Sequence, residues 1–180
     1  MIRSGELRPS GPPDTIVAEL PTGGHALRTF AIDPSGALLL NVGSRTNACQ
    51  ERDRQRESRG VDPCIELETR AGIWRFRTDR RQTQREGERF ATGIRNSVGL
   101  AINPADGALY ATQHGRDQLA ENWPKLYDWK ESAELPAEEL LLAVKGGDYG
   151  WPYCYYDQAK EKLVQAPEYG GDGEKVGECA

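Results

Sequence analysis

The sequence predicts an all-β fold, a β-propeller of which this chain carries two to three blades. Three observations point there: a repeated hairpin, an abundance of turn-forming residues, and a composition too polar for a large self-contained core. The repeat is the most specific. Phe30-Ala31-Ile32-Asp33-Pro34-Ser35-Gly36-Ala37-Leu38-Leu39-Leu40 is matched by Leu100-Ala101-Ile102-Asn103-Pro104-Ala105-Asp106-Gly107-Ala108-Leu109-Tyr110, 70 positions later and with one residue added in the turn. In each copy a short apolar run ends in Asp-Pro or Asn-Pro, which opens a turn. Gly36 or Gly107 supplies the positive φ that closes it, and a second apolar run follows. Hairpins recurring at a long fixed period point to propeller blades, with two unrelated hairpins as the plainer alternative.

The 20 glycines and 11 prolines favour short strands joined by many turns. Hydrophobic residues are 37% and charged residues 28%, and the mean hydropathy is -0.70, so the core is thin. A closed ring takes about four blades or more. At 70 residues per blade, the 180-residue chain supplies between two and three. Alone it would leave strand edges open, and open edges invite aggregation. Residues 1–180 therefore read as a single partial propeller domain, truncated at both ends. So long a period requires an insertion in each blade, and residues 47–67 and 116–134 fit that role.

Residues 15–20 read as a further strand, and so does the alternating Gly72-Ile73-Trp74-Arg75-Phe76. Residues 77–88 read as a charged connector. Its arginines are interrupted by acids, which favours a solvated loop over a nucleic-acid patch. The net charge of -5 also argues against nucleic acid as a partner. Residues 136–144 are ambiguous. Local propensity, with Pro136 at a first helical position, says helix; a repeating blade instead places a strand at 139–144, and the strand is preferred. Gly170-Gly171-Asp172-Gly173 reads as a loop. No apolar run reaches the length of a membrane span, and Met1-Ile2-Arg3-Ser4-Gly5-Glu6 holds no apolar leader core.

Cys49 and Cys64 are 15 positions apart, and Cys154 and Cys179 are 25 apart. Neither pair has C-x-x-C spacing or histidines nearby, which speaks against zinc. Two local disulfides are preferred over four free thiols, because unpaired cysteines are usually buried and these sit in polar segments. Closing a 15-residue loop contributes about 3 kcal/mol. Disulfides imply an oxidising compartment, and the missing leader then suggests that the gene product begins upstream.

There are two histidines. His25 follows Gly23-Gly24 and precedes a strand, an accessible place for a general base or for a solvated or capping histidine. His114 lies just past the second hairpin, where loops carry function. Arg95-Asn96 offers a planar guanidinium fork beside an amide that both donates and accepts, a pair suited to an anionic, carbonyl-rich ligand. A turn with Asn96 left-handed is the plainer reading. Asp148, in Gly146-Gly147-Asp148-Tyr149-Gly150-Trp151-Pro152, is either an oxygen donor for calcium or part of a corner packed by Tyr149 and Trp151. No G-x-S-x-G elbow, P-loop, H-E-x-x-H or Rossmann fingerprint is present.

Four segments in order then resemble the glucose/sorbosone dehydrogenase family, its L-sorbosone dehydrogenase branch in particular. They are Gly24-His25-Ala26-Leu27-Arg28, Gly93-Ile94-Arg95-Asn96, Thr112-Gln113-His114-Gly115-Arg116-Asp117-Gln118-Leu119 and Gly147-Asp148-Tyr149-Gly150-Trp151-Pro152-Tyr153-Cys154, and the likeness runs over residues 21–179. The resemblance implies a six-bladed propeller holding pyrroloquinoline quinone (PQQ) and calcium at one end of its central channel. It implies that His25 is the general base for a sugar hydroxyl while hydride passes to the quinone. It implies that Arg95, Asn96 and Gln113 contact the cofactor, and that His114 and Gly115 hold calcium through their backbone carbonyls. The substrate implied is an aldose or a sugar aldehyde such as sorbosone, with an external electron acceptor, in a periplasmic or secreted enzyme. Family members are more than twice as long, their later blades supply lysine and arginine contacts to PQQ, and some carry Gly-Pro where His114-Gly115 stands. The competing functions are a PQQ-free propeller that binds carbohydrate or protein, and a calcium-dependent lactonase. His25 together with Arg95-Asn96 favours the dehydrogenase.

Overall fold

A computed structural model describes residues 12–134, 137–173 and 179. In chain order the strands are β1 (Val17–Ala18), β2 (Phe30–Ile32), β3 (Leu38–Val42), β4 (Gly72–Phe76), β5 (Gln82–Thr83), β6 (Glu88–Thr92), β7 (Ser97–Ile102), β8 (Leu109–Gln113), β9 (Glu139–Ala143), β10 (Gly147–Asp148), β11 (Cys154–Asp157) and β12 (Lys162–Gln165). Two short helices, α1 (Leu119–Asn122) and α2 (Trp129–Glu134), lie between β8 and β9. The molecule is mostly β, as expected. Both helices lie in the second insertion, residues 116–134.

Both repeated hairpins form. β2 pairs antiparallel with β3, matching Phe30 to Leu40, and β7 with β8, matching Leu100 to Ala111. The first turn is held by Asp33, whose Oδ1 accepts from the amides of Ser35 and Ala37, each at 2.9 Å. In the second, Asn103 Oδ1 accepts from Ala105 (3.0 Å) and Asp106 Oδ1 from Ala108 (2.9 Å), so one carboxylate's work is divided across the longer turn. Gly36 and Gly107 take φ 85° and 73°, where a β-carbon would be strained.

β4 and β6 extend the first hairpin into an antiparallel meander, and β10 adds in parallel at the β6 edge. β9 extends the second hairpin, pairing Leu109 with Ala143 and Gln113 with Glu139. The preferred strand over 139–144 is thus present. Burial of alternate residues against the neighbouring sheet overrides local helix propensity there; Pro136 lies outside the described residues. The expected strand at 15–20 shrinks to β1, which pairs only with β5. Glu19 at φ 57° ends the extended run. The expected solvated loop at 77–88 is also corrected. It contains β5 and a 3₁₀ turn at Gln84–Glu86 closed by a Thr83–Glu86 capping box. Gln82 and Gln84 are buried, and Gln82 Nε2 donates to the Arg77 carbonyl at 2.7 Å.

The two sheets pack face to face. Leu39, Ile73 and Ala91 from the first meet Leu109, Ala111 and Ala143 from the second, with Ile94 filling the link between them. Fully burying one such Leu or Ile contributes about 1.5–3 kcal/mol. On the other face of the first sheet, Leu40, Val42, Trp74 and Phe76 are covered partly by Val17 and Leu20, and the Arg89 guanidinium stacks 4.1 Å from the Trp74 ring centre. β11 and β12 form a third hairpin, followed by a 3₁₀ turn at Pro167–Tyr169 and the expected irregular stretch after Gly170. Disulfides join Cys49 to Cys64 and Cys154 to Cys179, the pairing preferred from sequence. No helix among the described residues is long and apolar enough to cross a membrane.

Candidate functional site

The site gathers where β3, the β6–β7 link and the end of β8 meet. His25 lies in an irregular segment before β2. Gly24 must be glycine, because a β-carbon there would sit 2.4 Å from the Arg45 carbonyl oxygen. That approach brings the His25 amide to the Ser44 carbonyl at 2.9 Å. The ring follows, with Nδ1 3.1 Å from the same carbonyl oxygen and 2.9 Å from Ser44 Oγ. Ser44 Oγ gives its own proton to the Thr46 carbonyl (2.7 Å). Both groups facing Nδ1 are thus acceptors, and Nδ1 must carry the hydrogen. This hydrogen-bond assignment leaves Nε2 as the basic nitrogen. Burial, and next the Arg95 charge, hold the imidazole below its ordinary pKa of 6.5, so it is neutral at pH 7.

Gly43 sits between His25 and Asn96. A β-carbon on it would lie 2.7 Å from His25 Cβ and 2.8 Å from Asn96 Oδ1. The amide of Ser44 donates to the Arg95 carbonyl at 2.8 Å, which ties the two segments together. Arg95 is 5% exposed. Its Nε donates to the Asn47 carbonyl (3.3 Å) and its Nη2 to Asn47 Oδ1 and to Asp117 Oδ1 (3.1 Å). Burial pushes the Asp117 carboxyl up. Arg95, with Asn47, Arg116 and Arg54, outweighs burial and holds it below the usual carboxylate range.

Gln113 lies under Arg95. Its Oε1 accepts from the Arg95 amide (2.7 Å), and its Nε2 donates to Glu139 Oε1 (2.9 Å). Burial holds the Glu139 carboxyl above its usual range. The His114 ring turns outward to Glu138, with Nδ1 2.9 Å from Oε2, while its amide donates to the Asn96 carbonyl at 3.3 Å. Among the described residues no amide donates to the carbonyls of His114 or Gly115. Arg95, Gln113, His114, Arg116 and Glu139 line one cavity of about 20 Å³. Asp148 Oδ1 accepts from the Gly150 amide at 3.0 Å, next to Gly93, so this carboxylate builds the corner suggested as its plainer role. Among the described residues no three His, Cys, Asp or Glu side chains converge as for a metal ion; backbone carbonyls are a separate class of donor.

The structure therefore brings His25, Arg95, Asn96 and Gln113 together and sends the His114 side chain away from them. Asn47 and Asp117 went unnoticed in the sequence. Asn47 is fully buried and is the hub of the site. Its carbonyl also accepts from Trp151 Nε1 (2.9 Å), its amide donates to Asp53 Oδ1 (2.8 Å), and its Nδ2 donates to Gln118 Oε1 (3.3 Å). The only cues to these two were positional: Asn47 opens the first insertion, and Asp117 lies in the third of the quoted segments. A neutral imidazole with a free Nε2, beside a buried guanidinium and an amide, can take a proton from a hydroxyl next to an electron-poor, oxygen-rich ligand.

Comparison with known proteins fits that chemistry. A family model described as TrAA12-like matches residues 4–173. A pyrroloquinoline quinone-dependent sugar dehydrogenase of Hypocrea jecorina (strain QM6a) is 25% identical over 145 residues, covering 78% of this chain and 33% of the relative. An iodide structure of Trichoderma reesei Carbohydrate-Active Enzymes Family AA12 aligns with a TM-score of 0.58 at 21% identity, covering 80% of this chain and 35% of that one. A calcium structure from the same organism and family gives 0.57 and 21%, covering 80% and 36%. These two alignments show a shared fold. The chain spans about a third of the length of these relatives.

Proposed function

Because the chain belongs to the TrAA12-like family, we propose that it forms part of a PQQ- and calcium-dependent oxidoreductase acting on an aldose or a sugar aldehyde such as sorbosone. The observation that carries this reading is the anchoring of His25 Nδ1 on Ser44, which leaves Nε2 as a base beside Arg95. In this reading residues 1–180 are one partial domain of a six-bladed propeller, and the remaining blades complete the site. The two disulfides support an extracellular or periplasmic setting.

The donor set suits the cofactor. PQQ is planar, anionic and rich in carbonyl oxygens, and Arg95, Asn96 and Gln113 supply a cation and two amides. The His114 and Gly115 carbonyls, to which no amide donates among the described residues, are oxygen donors of the kind a hard cation prefers. Held by these residues, PQQ would supply a hydride acceptor and calcium a Lewis acid for its carbonyl. The chain's own residues do the rest. His25 Nε2 takes the sugar hydroxyl proton. Ser44 fixes the tautomer that makes this possible. Asn47 and Asp117 hold Arg95 so that its charge adds to burial in keeping the imidazole neutral.

One observation favours a second reading, a non-catalytic module that binds carbohydrate or protein: both ends of the Gln113 amide are already engaged by Arg95 and Glu139. The two readings separate when PQQ and Ca²⁺ are added to the full-length parent protein and dye reduction by sugars is followed. The dehydrogenase reading expects retained quinone absorbance and sugar-dependent reduction, with His25→Ala abolishing turnover but leaving PQQ bound. Neither reduction nor retained quinone would select the binding module.

A further inference from the structure

Residues 21–29, the segment that carries His25, have no regular secondary structure, and Gly23 and Gly24 bend it at φ 75° and 63°. Near its end Asn41 of β3 donates to the Thr29 and Leu27 carbonyls (2.9 and 3.3 Å). Two arginines serve the carbonyls around His25. Arg28, within the segment, donates from Nη1 to the His25 carbonyl (3.0 Å) and from Nη2 to the Pro21 carbonyl (2.5 Å). Arg70 reaches in from just before β4. Its Nη2 donates to the Thr22 carbonyl (2.5 Å), and its Nη1 to the carbonyls of Gly23 (3.2 Å) and Gly43 (3.5 Å).

Arg70 is an unusual residue in energetic terms. It is 7% exposed, and among the described residues no carboxylate lies within ion-pair distance of it. Buried arginines are ordinarily paired. Glu66, four positions upstream, spends its carboxylate on the Arg45 amide (2.6 Å), the Thr46 amide (3.2 Å) and Thr46 Oγ1 (2.5 Å). At longer range the Glu66 charge favours the Arg70 cation, while Arg45 and Arg28 oppose it. The guanidinium bonds only main-chain carbonyls, and its three acceptors identify what it secures. Two of them flank the His25 turn. The third belongs to Gly43, the residue wedged between His25 and Asn96.

We propose that Arg70 is a positioning residue for His25, clamping the 22–23 turn onto Gly43 so that the imidazole stays on Ser44 with Nε2 directed to the reacting hydroxyl. Glu66 does the matching work on the other side, securing Arg45 and Thr46 next to Ser44. The inference rests on the dehydrogenase reading only for the identity of the reaction, since the clamp itself is visible without any ligand.

The test uses Arg70→Lys and Arg70→Met. Nitrogen-15 shifts of the His25 ring, taken without PQQ, report which nitrogen carries the hydrogen. The wild type should show Nδ1–H and a basic Nε2, and both variants should lose that bias toward an even mixture. With PQQ and Ca²⁺, kcat should fall about 10- to 100-fold, as expected when a reacting group is displaced by about 1 Å. PQQ affinity should stay within about twofold, because the Arg95 clamp is untouched, and added guanidinium ion should restore part of the activity of Arg70→Met. If Arg70→Met does not fold, Arg70→Lys carries the comparison, since it keeps the charge and loses the fork. A variant that keeps both the wild-type tautomer and the wild-type kcat would overturn the proposal. Measured in the complete propeller that the dehydrogenase reading requires, a wild type without turnover but with the expected tautomer, lost in the variants, would overturn the dehydrogenase reading and leave the clamp standing.

Discussion

The two sheets share one strand plan, yet their insertions are built by opposite means. The insertion after β3 is covalently closed by Cys49–Cys64 and bridged at Gln50–Gly60, and it bends through left-handed Cys49, Arg54 and Glu57. The insertion after β8 has no disulfide and folds its chain into α1 and α2 instead. Their first residues nevertheless converge on one guanidinium. Asn47 lies five residues past the end of β3, Asp117 lies four past the end of β8, and both bind Arg95. A repeated strand frame delivers the start of each insertion to the same end of the molecule. The site is therefore assembled from equivalent positions of two units, and the rest of each insertion is free to differ.

The largest effect that can break this comparison lies in the second insertion. Arg116 Nη2 donates to Glu168 Oε1 at 2.6 Å, with side chains 3% and 0% exposed, and Trp123 Nε1 donates to the same oxygen at 2.9 Å. Glu168→Ala would strand the Arg116 charge and should cost about 3–5 kcal/mol in a urea titration. A loss below about 1 kcal/mol would mean that this pair does not anchor the second insertion. The first insertion should respond to its staple instead. Replacing Cys49 and Cys64 together by serine should cost about 3 kcal/mol, and unchanged thermal stability would contradict that.

The shared clamp comes next. Asn47→Ala removes the buried Oδ1 that binds Arg95 and should cost about 1.5–3 kcal/mol by denaturant titration. Asp117→Asn should cost less, because that side chain is 42% exposed. Its effect is also pH-dependent. The folded carboxyl titrates below its ordinary 3.8, so the stabilisation is complete above 3.8 and is lost as pH falls through the folded value. Wild type and Asp117→Asn should therefore converge in stability in strong acid. The smallest effect sharpens the hairpin comparison. Asp33→Ala removes the carboxylate oxygen that accepts from the Ser35 and Ala37 amides, and an ion pair to Arg75 (3.1 Å), and should cost about 1 kcal/mol. Asn103→Ala should cost less, since Asp106 shares the second turn.

Much of the frame was legible because its cues are local. Asp33-Pro34 and Asn103-Pro104 open turns, glycine closes them, and apolar runs flank both. β9 was recognised only by extending the repeat, against local propensity. Other features depend on contacts between distant residues and leave no local mark. Glu19 ends β1 through its left-handed backbone, and Gln82 and Gln84 are buried in a stretch whose charges suggest solvent. Among site residues, His25, Arg95 and Asn96 stood out by type and glycine neighbours. Asn47 did not, since its importance comes from accepting Arg95 48 positions away. The outer face of the second sheet is a further case. Leu140 and Leu142 are 71% and 51% exposed on a strand whose alternate residues are half-buried or buried.

The site turns on a His25 imidazole that Ser44 orients and that burial, with the Arg95 charge, keeps neutral with Nε2 basic. The most direct test is an NMR titration of His25, with the signal assigned by His114→Gln because His114 is the other histidine. The account predicts a midpoint below 6.5 in the wild type, displaced upward in Arg95→Gln. Stability should likewise fall as pH drops below 6.5 toward that midpoint, because the unfolded chain binds the proton more readily there. A midpoint at or above 6.5 that Arg95→Gln leaves unmoved would contradict it.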